Sequence, residues 1–326
     1  MKRFISLIAG ILIFLETGDL LAQATGNMGA SDKETKVNSP IGQEDTTNAN
    51  KKQLKKYSKE ELYNIINTHR KITDTTELRA MEIFNEATKK GREGDYIGAI
   101  DLFTKSLKIW ENANSYMKRG YAYMMIGEYF KAIEDESKAL KMEYAYSNAF
   151  FVRGVSRFEI MDYKGAEEDL FLCLDLDRVN PIAFNYYAAL MFMKKDYKAA
   201  MENYSEVIRL DSTYPDALTN RGMMRHYLGD FTGALQDYER SLRINPNSAS
   251  TYNNQAAANI MMKDYQAALE SLNKAIELNQ GYPEAYDNRA RVKLQLGDTT
   301  GACEDWNQAF SLGNTTAKDL IIKFCK

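Results

Sequence analysis

Alanine returns at residues 99, 132, 166, 200, 234, 268 and 302, one step of 33 followed by five of 34. Each follows a short turn that carries an aromatic: Gly94-Asp95-Tyr96, Gly127-Glu128-Tyr129, Met161-Asp162-Tyr163, Lys195-Asp196-Tyr197, Gly229-Asp230-Phe231 and Lys263-Asp264-Tyr265. An eroded copy, Gly297-Asp298-Thr299, precedes the last alanine. A fixed period of this length marks a helical solenoid, in which each unit leaves an apolar face that only a neighbour can bury. That pattern overrides the two compact domains that 326 residues alone would suggest.

With the alanine set at position 20 of a 34-residue unit, seven units start at 80, 113, 147, 181, 215, 249 and 283. Position 4 is always large and apolar (Ile83, Tyr116, Phe150, Phe184, Leu218, Tyr252, Tyr286), and position 8 is always small (Ala87, Gly120, Gly154, Ala188, Gly222, Ala256, Ala290). Residues four apart share a helix face, so a large group beside a small one lets a second helix lie close, with the alanine at 20 as its matching small site. Position 28 (Leu107, Leu140, Leu174, Ile208, Leu242, Ile276, Phe310) supplies an apolar stripe toward the next unit. Pro181, Pro215 and Pro283 fall on position 1, where a missing amide donor costs nothing, and Pro246 falls in a loop.

From about Ala80 to Thr316 the chain resembles the tetratricopeptide repeat family. The resemblance rests on the small position 8, the Gly-Asp-Tyr turn, the alanine at 20, a modest residue at 27 (Ser106, Ala139, Cys173, Val207, Ser241, Ala275, Ala309) and Pro246 at 32. Lys195 at a turn and Thr299 in place of an aromatic depart from the pattern. The resemblance implies an all-α fold of paired antiparallel helices stacked as a right-handed superhelix, the first helix of each pair lining the concave side. It also implies a protein that binds proteins or peptides.

Position 7 is Arg119, Arg153, Arg221 and Arg289 in four units, and position 23 of those units is Asp135, Asp169, Asp237 and Asp305. The other three units have neither. Both positions lie eight residues from the turn, so an antiparallel hairpin sets them level and predicts four structural Arg–Asp bridges. Cys303 and Cys325 each lie eleven residues from Asn314, and the same geometry predicts a disulfide that pins a C-terminal helix; the alternative is two buried thiols. Cys173, at small position 27, is a core residue.

Positions 2, 5, 9 and 12 of the first helix form one stripe. It carries Met117, Tyr121, Met124, Phe151, Val155, Phe158, Phe192, Met223 and His226, then Asn253, Ala257, Ile260, Asp287, Arg291 and Leu294. A methionine-rich apolar stripe suits an adaptable peptide or partner helix, unless position 12 is spent on packing between units. Asn220, Asn254 and Asn288 recur at neighbouring position 6, where amides can hold an extended backbone. The family's clamp for a chaperone's C-terminal carboxylates needs lysine at position 5 of one repeat and position 2 of another, and no unit has either.

Ahead of the repeats, Lys2 and Arg3 followed by an apolar run from Phe4 to Leu15 read as a signal peptide over residues 1–24, cleaved after Ala22 or Ala24. The run falls short of the about 20 apolar residues that span a bilayer; a retained N-terminal anchor is the alternative. Residues 25–57 are polar enough to form a disordered tether. Ser58-Lys59-Glu60-Glu61 is a capping box opening a helix to about Lys71, whose face Leu62, Ile65, Ile66 and His69 caps the first repeat, and Asp74 to Glu77 opens the next helix within a lead-in over 58–79. Residues 317–326 form the C-terminal cap.

A net charge of −3 argues against nucleic acid. Two histidines and three cysteines leave no metal or nucleophile constellation, so no enzyme activity, cofactor or metal is expected. The expected role is an exported, non-catalytic scaffold, periplasmic or at the cell surface, holding a protein segment in the groove. A structural adaptor attached through its tether is the alternative; an enzyme subunit or glycan binder ranks last. No transmembrane span is expected in the mature chain, and nothing in the sequence sets the oligomeric state.

Overall fold

The computed structural model describes residues 59–142 and 146–325. The signal-peptide and tether readings lie outside the described residues. Those residues form fifteen helices and no strand. The chain divides into two compact units, Met1–Asp162 and Tyr163–Lys326.

The first unit holds α1 (Lys59–Arg92), α2 (Tyr96–Ile109), α3 (Ala113–Met125), α4 (Tyr129–Met142) and α5 (Ser147–Glu159). Here α1 packs on α2 and α3 on α4 as hairpins, while α2 meets α3 and α4 meets α5. The expected break near residues 71–74 is absent, since α1 runs unbroken for 34 residues. Between Lys59 and Lys90 there is neither proline nor glycine, so two capping boxes do not suffice to stop a helix.

The second unit opens with α6 (Tyr163–Leu176). It continues through the hairpins α7 (Pro181–Met193) and α8 (Tyr197–Leu210), α9 (Pro215–Tyr227) and α10 (Phe231–Ile244), α11 (Ala249–Met261) and α12 (Tyr265–Leu278), and α13 (Pro283–Gln295) and α14 (Thr299–Ser311). The short α15 (Ala317–Phe324) packs on α14.

The turns share one conformation. Gly94, Gly127, Gly229 and Gly297 have φ between 77 and 87°, and Met161, Lys195 and Lys263 adopt the same left-handed region at 63–66°. The aspartate that follows caps the second helix: Asp95, Asp196, Asp230, Asp264 and Asp298 each accept a hydrogen bond from a backbone N–H three residues on. Thus the first turn residue ends one helix and the second starts the next.

The core is a large residue laid over a small one. All seven position-20 alanines are fully buried. Position 24 supplies the large partner: Phe103, Leu170, Tyr204, Tyr238, Leu272 and Trp306 are all buried. A Cβ added at Gly222 would lie 2.6 Å from the Tyr238 ring, which shows how closely position 24 covers position 8.

Glu136 occupies that core place in the second repeat. It is fully buried, a Cβ on Gly120 would lie 2.4 Å from its Oε1, and neither carboxyl oxygen has a partner among the described residues. Burial, and next the charge of Asp135, push its pKa well above the usual carboxylate range against the opposing pull of Arg153 and Lys118. Glu136 is therefore protonated in the fold over a range where the unfolded chain ionises. Stability is unaffected below about pH 4.5 and falls as pH rises from there toward the folded-state pKa. Glu136→Gln should remove this slope, so that the stability difference from wild type widens with pH in denaturant titrations. Glu136→Leu should stabilise by about 1–3 kcal/mol at pH 7, relieving an unpaired buried polar group.

Candidate functional site

Three of the four Arg–Asp pairs join residues of one unit, and each is bidentate. Arg119 meets Asp135 at 2.7 and 2.8 Å, Arg221 meets Asp237 at 2.8 and 2.6 Å, and Arg289 meets Asp305 at 2.8 and 2.7 Å. All three carboxylates are buried. Arg153 belongs to the first unit and Asp169 to the second, and that pair stays an expectation. In the sixth repeat Gln255 and Ser271 form a neutral hydrogen bond at the same two positions.

Each arginine also reaches back to the preceding repeat. The remaining Nη1 of Arg119, Arg153, Arg221 and Arg289 donates to Thr104, Ser137, Ser205 and Asn273 respectively, always position 25. A second cation from position 11 completes two of the sites: Arg225 lies 3.0 Å from Asp237, and Lys293 lies 2.9 Å from Asp305. These arginines are spent on the fold. Sequence comparison identified positions 7 and 23 and missed 11 and 25, although small hydroxyl or amide residues precede each arginine-bearing repeat.

On the first-helix face of the first unit, Met117 and Tyr121 are half-buried, with Tyr121 edge-on to Tyr96 at 6.5 Å. Met124, Phe151 and Phe158 keep only 8, 6 and 5% of their surface. They are buried residues and not the open lining expected of them, in a unit where α3 and α5 lie against each other.

In the second unit Phe192, Asn220, His226, Asn254 and Asn288 are all half-buried. Phe192 packs against Tyr197 and Tyr227, and Tyr197 stacks on Tyr227 at 4.7 Å. His226 meets Phe231 at 5.2 Å; burial lowers its pKa, so the ring is neutral near pH 7, and its buried Nδ1 has no partner among the described residues. Asn288 donates to Asn253 at 2.9 Å, joining position 6 to position 5 of the preceding repeat. Asn185 and Asn220 hold the same two positions two repeats earlier. There the acceptor Oδ1 of Asn185 and the donor Nδ2 of Asn220 are both buried without a partner among the described residues. Burial raises the Asp216 carboxyl, at position 2 of the stripe, to about 6.

A pocket of about 590 Å³ opens at the C-terminal end of this face. The stripe residues His226, Ala257, Ile260, Arg291 and Leu294 line it with Asn288, and α15 forms one wall with Leu320, Lys323 and Phe324. Phe324 stacks on Trp306 at 5.6 Å. A disulfide joins Cys303 of α14 to Cys325, with Cα atoms 5.6 Å apart, and so holds α15 in place. Cys173 is a buried free thiol whose pKa burial raises to about 12, which leaves it inert. Among the described residues no cluster of three or more histidine, cysteine and acidic side chains is placed to hold a metal, and no helix is long and apolar enough to cross a membrane.

Stacked antiparallel pairs with one register per repeat define an all-helical repeat solenoid. Residues 213–281 match the tetratricopeptide repeat family, and the chain shares its fold with solved structures of such proteins. The C-terminal part of a TPR repeat-containing protein from Cytophaga hutchinsonii aligns with a TM-score of 0.58 and 21% identity, over 72% of this chain and 98% of that one. PilF of Pseudomonas aeruginosa aligns at 0.55 and 21%, over 65% and 97%. YrrB, described as a TPR protein with an unusual peptide-binding site, aligns at 0.53 and 21%, over 56% and 95%. No curated protein matches the sequence.

Two outcomes follow from this geometry. Asp237→Ala should cost more than Arg221→Ala, about 3–5 kcal/mol, because it strands two cations at a buried site; the double variant should fall well short of the sum in denaturant unfolding. Opening the disulfide by Cys303→Ser with Cys325→Ser should cost about 3 kcal/mol for a loop of 22 residues, with early loss of amide protection in α15.

Proposed function

We propose that this protein is a non-catalytic interaction scaffold that holds an extended segment of a partner protein along the first-helix face of its second unit. The observation that carries this reading is the pocket on that face, whose size suits one or two large side chains and whose walls are rigid helices. The Asn185–Asn220 step adds the polar half. An amide donor and an amide acceptor, unsatisfied within the fold, complement the C=O and N–H of a peptide group once the half-exposed Asn220 rotates. YrrB, with the same fold, is described as having a peptide-binding site.

The setting is the cell envelope, periplasmic or at the surface. The leader-like residues 1–24 support export, and a disulfide at the end of the chain suits an oxidising compartment.

A photo-crosslinking residue at position 260 in the full-length protein, expressed in its native cells, tests the site. It should capture a partner that the same probe at exposed Phe130 does not, and Ile260→Asp should abolish recovery while the protein stays folded. Equal capture from both positions, or recovery unchanged by Ile260→Asp, would refute the groove. Export is tested separately by sequencing the N-terminus of the envelope fraction, which should begin after Ala22 or Ala24.

A further inference from the structure

We infer that the pocket between α11, α13, α14 and α15 selects an acidic partner segment, one that places a large apolar side chain in the pocket and a neighbouring carboxylate at its rim. The inference rests on the groove reading above and adds the chemistry of the occupant. Its basis is charge. The lining includes Arg291 and Lys323 and no aspartate or glutamate, on a chain whose net charge is −3.

Neither cation is fully engaged by the fold, although Arg291 shares one ion pair with Asp287. Arg291 is engaged only through Nε, which donates to Asp287 at 3.1 Å, and its two terminal nitrogens have no partner among the described residues. Lys323 makes no ion pair among the described residues; its Nζ lies 4.9 Å from the neighbouring Phe324 ring. This contrasts with the four position-7 arginines and with Arg225 and Lys293, all engaged by the fold. Asp287, whose Oδ2 accepts from Arg291, is held on its other oxygen by Trp306 Nε1 at 3.0 Å. Ile260, Leu294, Leu320 and Phe324 give the pocket an apolar part. An arginine and a lysine across a concave, partly apolar site focus positive potential where a carboxylate would sit, and the apolar walls receive the adjacent side chain.

Trp306 lines the pocket, and the chain has one other tryptophan, Trp110, so Trp110→Phe makes the emission of the full-length protein a report on this site. The probe is an acetylated, amidated hexapeptide of alternating glutamate and leucine. It should shift Trp306 emission saturably and weaken at least tenfold between 50 and 500 mM salt (about 1.4 kcal/mol). The lysine–leucine counterpart should not bind. Arg291→Glu with Lys323→Glu, both at exposed positions, should lose the acidic peptide and gain the basic one. Single changes to glutamine should each weaken the acidic peptide about threefold and serve if the double variant misfolds. No response to the acidic peptide, equal binding of both peptides, or indifference to charge reversal would overturn the inference. If crosslinking from position 260 still succeeds, only the acidic preference falls; if it also fails, the groove reading falls with it.

Discussion

Everything in the fold depends on one contact, a bulky side chain at position 24 lying over a residue at position 8 that has almost no side chain. The contact brings the two helices of a repeat close enough for the position-20 alanine to be fully buried. Because the contact is local and repeated, neighbours add stability in sequence and no distant pairing is needed. Glu136 shows how much the site tolerates. A carboxylic acid can fill it because Gly120 provides room, yet it brings two oxygens that the interior does not satisfy. Proximity in shape is met there at the expense of polarity.

The arginine at position 7 does for the layers what position 24 does for the hairpin. Its Nε and one Nη grip the aspartate of its own repeat, while the other Nη reaches the repeat before. One planar side chain with five donors therefore ties three helices, a task for which lysine lacks the geometry. Where position 7 is tyrosine, in the fourth repeat, position 25 before it is the exposed Phe171. Where it is glutamine, in the sixth, the residue before it is Glu239. A short hydroxyl or amide side chain stands at position 25 before each of the four arginines.

The repeat boundaries were legible because alanine, glycine and proline mark backbone requirements that tertiary context cannot alter. The helices begin at 113, 147, 181, 215, 249 and 283, as the period requires. Position 24 was not legible, because one glutamate among seven residues hid an otherwise large, buried column. The continuity of α1 was missed for another reason: a capping box marks a place where a helix can start, but only a breaker ends the one before it. The exposure of the expected lining was only half legible. Spacing placed Met124, Phe151 and Phe158 on one first-helix face, but spacing does not say how far that face is covered. The pocket needed α15, whose placement depends on contacts made after the repeat pattern ends.

The last described helix keeps the register of the array. Ala317 stands 34 residues after Pro283, so α15 is the first helix of an eighth repeat, and its position 8 is Phe324. Every other repeat keeps that position small so that a second helix can approach. Phenylalanine there stacks on Trp306, the position-24 residue of the repeat before. Only eight residues long, α15 buries little by itself, with Ala317 its one buried residue. A helix this short is marginal in water without a tertiary anchor. The disulfide to Cys303 supplies the anchor one residue beyond the stacked ring. The same three features, the aromatic in the small position, the short helix and the crosslink, also make α15 a fixed wall. The crosslink and the C-terminal wall of the pocket are thus built from the same residues.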